Sequence, residues 1–200
     1  VELGAGGSIA KWVSEGSNVV HLILSTLLNR EERSKEVVEA NRILGVPDNN
    51  VLLYDFPNRR FSDIRQDILQ VISDTKVLTP DLVVTHCSFD NHQDHKVVYN
   101  ETIRAYKNIT VIGYEDPWNM LESNMRMTVL LKESHLRTKL EACKAHKSQS
   151  HRSYMSDTFI TGMAAMRGMA TGTKSYAENF EVIRWVIPKQ EPEYGSPPTL

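Results

Sequence analysis

The sequence predicts an α/β fold, a Rossmann-like three-layer sandwich whose mostly parallel sheet is covered by helices on both faces. Three observations predict it. Short runs of aliphatic and β-branched residues alternate with amphipathic stretches at intervals of about ten to fifteen residues, the pattern of strands joined by crossover helices. The run Leu82-Val83-Val84 is apolar throughout, as expected of a strand buried on both faces rather than one with a wet side. The densest group of ionisable side chains follows that run directly, and ligands of open α/β sheets bind beyond the C-terminal ends of the strands.

The elements follow in order. Ser8–Glu15 reads as a helix after the opening Gly4-Ala5-Gly6-Gly7, and Asn18–Ser25 as a strand in which His21 is structural. Glu31–Leu44 is a helix with Gly45 at its stop and Pro47 beyond. Val51–Tyr54 is a short strand, and Ser62–Thr75 a helix with Ile64, Ile68, Leu69 and Ile72 on one face. Asp81–Thr85 is the strand before the histidine cluster, Lys96–Tyr106 the helix after it, and Ile109–Tyr114 a further strand. Met127–Leu131 reads as a strand, and Ser134 as the N-cap of a helix through His146. A helix over Thr158–Met169 places Met163, Met166 and Met169 as fillers of core gaps. Phe180–Ile187 reads as a late strand at the sheet edge. Pro188, Pro192, Pro197 and Pro198 exclude regular structure from the tail. The chain is thus expected to form one domain over residues 1–187 with a proline-rich tail over 188–200.

Composition bounds the function. Two hundred residues, 40 % hydrophobic and 24 % charged, suffice for one ordinary domain with a sizeable core. A formal charge of −2 carries no basic footprint for nucleic acid. No apolar stretch has the length of a membrane span, and the first residues lack a signal-peptide pattern. Two distant cysteines, Cys87 and Cys143, give neither a disulfide framework nor a zinc module, so a reducing, cytoplasmic compartment is expected.

Thr85 to His95 holds three imidazoles, His86, His92 and His95, and two carboxylates, Asp90 and Asp94, in eleven residues. Two readings stand. Either aspartate alone would serve as a helix cap beside solvated histidines. Taken together, the set suits a divalent metal or acid/base site, since imidazole and carboxylate ligate zinc and a ligating imidazole needs an acceptor for its second nitrogen. The opening glycines are better explained by close helix packing on the sheet than by phosphate binding, because no G-x-G-x-x-G spacing follows a strand there.

Two separated segments resemble one family. Val1-Glu2-Leu3-Gly4-Ala5-Gly6-Gly7-Ser8-Ile9-Ala10-Lys11 is similar to the stretch after the His-Pro-Asp-Asp motif of PIG-L/LmbE-like zinc-dependent deacetylases, and Asp90-Asn91-His92-Gln93-Asp94-His95 resembles their second motif. Arg33-Ser34-Lys35-Glu36, Leu44-Gly45-Val46, His146-Lys147-Ser148-Gln149 and Tyr176-Ala177-Glu178-Asn179-Phe180 agree in order. The resemblance implies a metal-dependent hydrolase, usually with Zn2+, that removes an N-acetyl group from an N-acetylglucosamine-type sugar or conjugate. It implies His95 as metal ligand, His92 at the developing oxyanion, Asp94 orienting an imidazole and Asp90 supporting the loop or the site. Arg33, Asn58 and His146 become substrate contacts, and Glu2 the acidic residue just after the first motif. The remaining ligands, the general base and the first, central strand of the family are expected upstream of Val1. Family members often associate, so a homo-oligomer is a further expectation. The alternative is a non-catalytic sugar- or nucleotide-binding domain that has lost the first motif.

Overall fold

The computed structural model describes residues 1–26 and 30–187, so the expectation for the tail from Pro188 lies outside the described residues. Six helices and six strands are named in chain order: α1 (Glu2–Ser14), β1 (His21–Ile23), α2 (Arg30–Leu44), β2 (Val51–Leu53), α3 (Arg65–Asp74), β3 (Leu82–His86), α4 (Gln93–Ala105), β4 (Thr110–Tyr114), β5 (Met127–Leu131), α5 (Glu133–Ala145), α6 (Asp157–Met169) and β6 (Tyr176–Arg184). The alternation read from the sequence is present, and the class is α/β.

The sheets are mixed rather than mostly parallel. β1 and β2 pair in parallel, His21 opposite Val51, and hydrogen bonds from Tyr54 N to Ile23 O and from Phe56 N to Leu24 O extend that ladder. A second sheet has the order β3-β4-β6-β5. β3 and β4 are parallel, with His86 opposite Tyr114, while β6 runs antiparallel to both of its neighbours. Among the described residues, β1 and β3 each keep one edge without a strand partner. The two sheets nevertheless share cores on both faces. Leu82 and Val84 point with Val19 and Val51 into a cluster of Ala5, Ile9, Ala40, Leu44 and Phe180, whereas Val83 and Leu22 join Ile68, Ile72 and Val97 on the opposite face. Alternation of side chains along a strand accounts for this division.

Several boundaries differ from expectation for physical reasons. α1 starts at Glu2, so the glycines lie within the helix. A Cβ on Gly4 would stand 2.5 Å from Tyr114 Cδ2 and 2.7 Å from the carbonyl oxygen of Glu115, and only glycine permits that approach. β6 is central rather than an edge, because its buried polar residues are satisfied. Glu178 accepts from the N–H groups of Gly7 (3.0 Å) and Ser8 (2.7 Å) and from Lys139 Nζ (2.6 Å), and Asn179 accepts from Thr128 Oγ1. Lys132, not Ser134, caps α5, with His135 Nδ1 accepting from the Lys132 N–H at 3.3 Å. Met166 and Met169 are exposed rather than core fillers. His21 is structural as expected, its Nδ1 2.9 Å from Asn41 Oδ1.

These contacts predict opposite outcomes for two glycine substitutions. Gly4→Ala should destabilise by about 1–3 kcal/mol through overpacking against backbone. Gly162→Ala, within α6 and with nothing near its position, should stabilise by about 0.5–1 kcal/mol. Urea unfolding midpoints measure both, and equal shifts of the same sign would contradict the packing described.

Candidate active site

Beyond β3 the chain turns through residues 87–92 and enters α4, and the turn is held by Asp90. That carboxyl group is 1 % exposed, so its oxygens need hydrogen-bond partners within the protein. Both have one. Oδ1 accepts from the N–H of His92 at 2.8 Å, and Oδ2 lies 2.7 Å from His95 Nδ1. A bond to a carboxylate places a proton on His95 Nδ1, so that in the neutral ring Nε2 carries the lone pair, the arrangement by which a supporting carboxylate prepares a metal-binding imidazole.

His92 caps α4 by accepting the Asp94 N–H on Nδ1 at 3.2 Å. Its own proton is therefore on Nε2, which makes the ring a donor. Burial and the neighbouring His95 lower its pKa, keeping it neutral near pH 7. The rings of His92 and His95 lie 4.4 Å apart between centroids.

His86, which sequence reasoning left without a role, completes the cluster. It stacks on His95 with centroids 3.7 Å apart and planes 12° from parallel, and its Nδ1 meets the Tyr114 hydroxyl at 2.8 Å. Burial, together with His95, pushes its pKa well below the ordinary value, so it is neutral and its 3.8 Å separation from Asp90 is no ion pair. The signal for His86 was the alternation of Leu82, Val84 and His86; ending the strand at Thr85 concealed it. Burial, followed by Asp116 and Asp90, raises the Tyr114 pKa, keeping that hydroxyl protonated.

His86, Asp90 and His95 offer ligand atoms within 4.8 Å of one another, the one such group of three among the described residues. Neutral imidazole and carboxylate fit zinc and similar divalent ions. His95 would hold such an ion through Nε2, and His86, stacked on that ring with its Nδ1 engaged by the Tyr114 hydroxyl, would support it.

Asp94 is placed differently from expectation. The carboxylate that meets an imidazole is Asp90, whereas Asp94 turns toward the loop after β2, accepting the N–H groups of Arg59 (2.6 Å) and Phe61 (3.4 Å). Being the second residue of α4, it points back to the preceding loop rather than across to the rings. Gln93 Nε2 donates to Arg59 O at 2.7 Å, so the exposed Asn58 turn is latched beside the cluster. Glu2 and His146 meet each other instead, Oε1 and Nε2 being 3.4 Å apart without hydrogen-bond alignment. Arg33 is half-buried on α2.

Comparison with known proteins bears on the family and the fold. The sequence model of the family described as PIG-L: GlcNAc-PI de-N-acetylase matches residues 1–106. An Escherichia coli protein described as the uncharacterized deacetylase YaiS is 28 % identical over 165 residues, covering 74 % of this chain and 85 % of that protein. The conserved protein TT1542 from Thermus thermophilus superposes with a TM-score of 0.76 at 23 % identity, over 94 % of this chain and 91 % of that one. The N,N'-diacetylchitobiose deacetylase from Pyrococcus horikoshii does so with a TM-score of 0.68 at 19 % identity, over 91 % and 79 %. At such identities the two structures establish the shared fold.

The placement of Asp94 predicts a structural phenotype. Asp94→Ala leaves the Arg59 and Phe61 N–H groups without their acceptor and should cost about 1–3 kcal/mol. Hydrogen exchange should show both amides losing protection while zinc affinity changes less than about twofold; a large loss of zinc would return Asp94 to the imidazoles.

Proposed function

The chain belongs to the PIG-L family, described as GlcNAc-PI de-N-acetylases, and from that premise we propose that it is a metal-dependent N-deacetylase that hydrolyses the acetamide of an N-acetylglucosamine-type sugar or sugar conjugate. The observation that carries the proposal is a pair of Nδ1 contacts three residues apart, His92 Nδ1 on the Asp94 N–H and His95 Nδ1 on the Asp90 carboxylate, which assign opposite tautomers: His95 with its lone pair on Nε2, His92 with its proton there. One ring is prepared to hold a metal and the other to donate a hydrogen bond.

His95 holds the metal through Nε2, Asp90 fixes the plane and tautomer of that ring, and His86 backs it. Zinc bound there lowers the pKa of water and polarises a carbonyl. His92 donates from Nε2 to the oxygen on which charge develops as the amide is attacked. Asn58, on its latched turn, contacts the sugar; Glu2 on α1, Arg33 on α2 and His146 at the end of α5 line the approach. The proposal includes a strand between β1 and β3 bearing the first motif, with a histidine and an aspartate as further ligands and a carboxylate base. The free edges of the two strands and the shared cores of the two sheets support it. Buried, free Cys87 and Cys143 support a reducing, cytoplasmic setting, and no described helix is long and apolar enough to cross a membrane.

Zinc content and acetate release from N-acetylglucosamine and N,N'-diacetylchitobiose, measured on the full-length protein, test the assignment. His92→Ala should keep its zinc and lose about 10²–10³ in kcat, the cost of removing one oxyanion donor. His95→Ala should lose both zinc and activity. Unchanged zinc and acetate release in His95→Ala would overturn it.

A further inference from the structure

The short 3-10 turn Pro117–Asn119 after β4 is tied to the histidine loop through Asn119 and Met120, the residues that follow Trp118. The Asn91 N–H donates to Asn119 O at 2.9 Å, Met120 forms an isolated bridge with Asp90, and Met120 Sδ lies 3.7 Å from Cys87 Sγ. Asn119 Nδ2 donates to Asp116 Oδ2 at 3.2 Å and comes within 3.5 Å of His95 Nδ1. Trp118 is therefore carried by backbone fixed to the loop that bears the ring assigned to the metal by the proposed function. Its indole is nevertheless 63 % exposed. The partner it has is Tyr154, from the separate turn Ser153–Met155 that precedes α6, with ring centroids 5.2 Å apart and planes inclined by 49°. Pro117, beside it, lines a cleft together with Phe159 and Met163 of α6. The charged groups lining that cleft are already paired, Arg167 with Glu115 and Lys139 with Glu178. Beside that cleft, the aromatic faces of Trp118 and Tyr154 are left for recognition.

We propose that Trp118 and Tyr154 form an aromatic platform that binds a pyranose ring of the substrate by its C–H face and so aims the acetamide at His92 and His95. The nature of the ligand rests on the deacetylase reading; the existence of the platform does not. A glucopyranose with equatorial substituents presents axial C–H bonds on each face, and their positive ends suit the negative face of an aromatic ring. The rigid turn keeps Trp118 in place before binding, so little side-chain freedom is lost when the sugar arrives.

The test uses the full-length, zinc-loaded protein with N,N'-diacetylchitobiose as probe. Trp118→Ala should raise KM about three- to tenfold, and Tyr154→Ala by a smaller factor, with kcat within about threefold of the parent. Trp118→Phe should recover most of the KM. The parent should also show a saturable change in indole fluorescence on titration with the same sugar, absent in Trp118→Phe, which retains Trp12 and Trp185. An unchanged KM in both alanine variants, or fluorescence indifferent to the sugar, overturns the platform. If the parent released no acetate, the deacetylase reading would fail, and the titration alone would then decide whether the platform exists.

Discussion

The site depends on one buried carboxylate. Taking a carboxyl group out of water is costly unless hydrogen bonds replace its hydration, and Asp90 is withdrawn almost completely. Its two oxygens meet that requirement with two donors that nothing else would bring together, the N–H of His92 and the ring nitrogen of His95. In satisfying itself, Asp90 closes the turn after β3, sets where α4 begins and selects the tautomer of His95. Its backbone bridge to Met120 extends the same constraint to the turn that carries Trp118. The geometry of the candidate site is therefore a consequence of one electrostatic requirement rather than of many independent contacts.

A second buried charge organises the other half of the chain. Glu178 on β6 joins α1 and α5 to the sheet through two backbone N–H groups and Lys139. Breaking such a pair leaves an uncompensated charge, so the close approach of α1 to the sheet and the central position of β6 stand or fall together. The glycines of α1 serve this approach, and Tyr114, packed on Gly4, carries the contact to His86. The helix that follows the proposed first motif is thereby held against the strand end that bears the histidines.

The sequence made the alternation of strands and helices legible because apolar periodicity reflects burial directly, and it made His92, His95 and Asp90 legible because they are crowded after a buried strand. It concealed what depends on satisfied polarity. Glu178 and Asn179 interrupt the apolar run of β6, so the strand read as starting at Phe180 and lying at an edge. The glycines of α1 lower helix propensity, so the helix read as starting at Ser8, until packing against Tyr114 and Leu131 is taken into account. Asp90 and Asp94 are equivalent by composition. Only the direction of the first turn of α4 separates the one that faces the rings from the one that holds the Arg59 loop. Trp118 and Tyr154 are far apart in sequence, with no pattern to join them.

The most direct measurement is the position of zinc, by anomalous scattering, in crystals of the full-length protein. The expected result is a peak at about 2.0–2.1 Å from His95 Nε2, with Asp90 bonded to Nδ1 of the same ring. A zinc ion bound elsewhere, or one held by His95 Nδ1 with Asp90 turned away, would contradict the assignment.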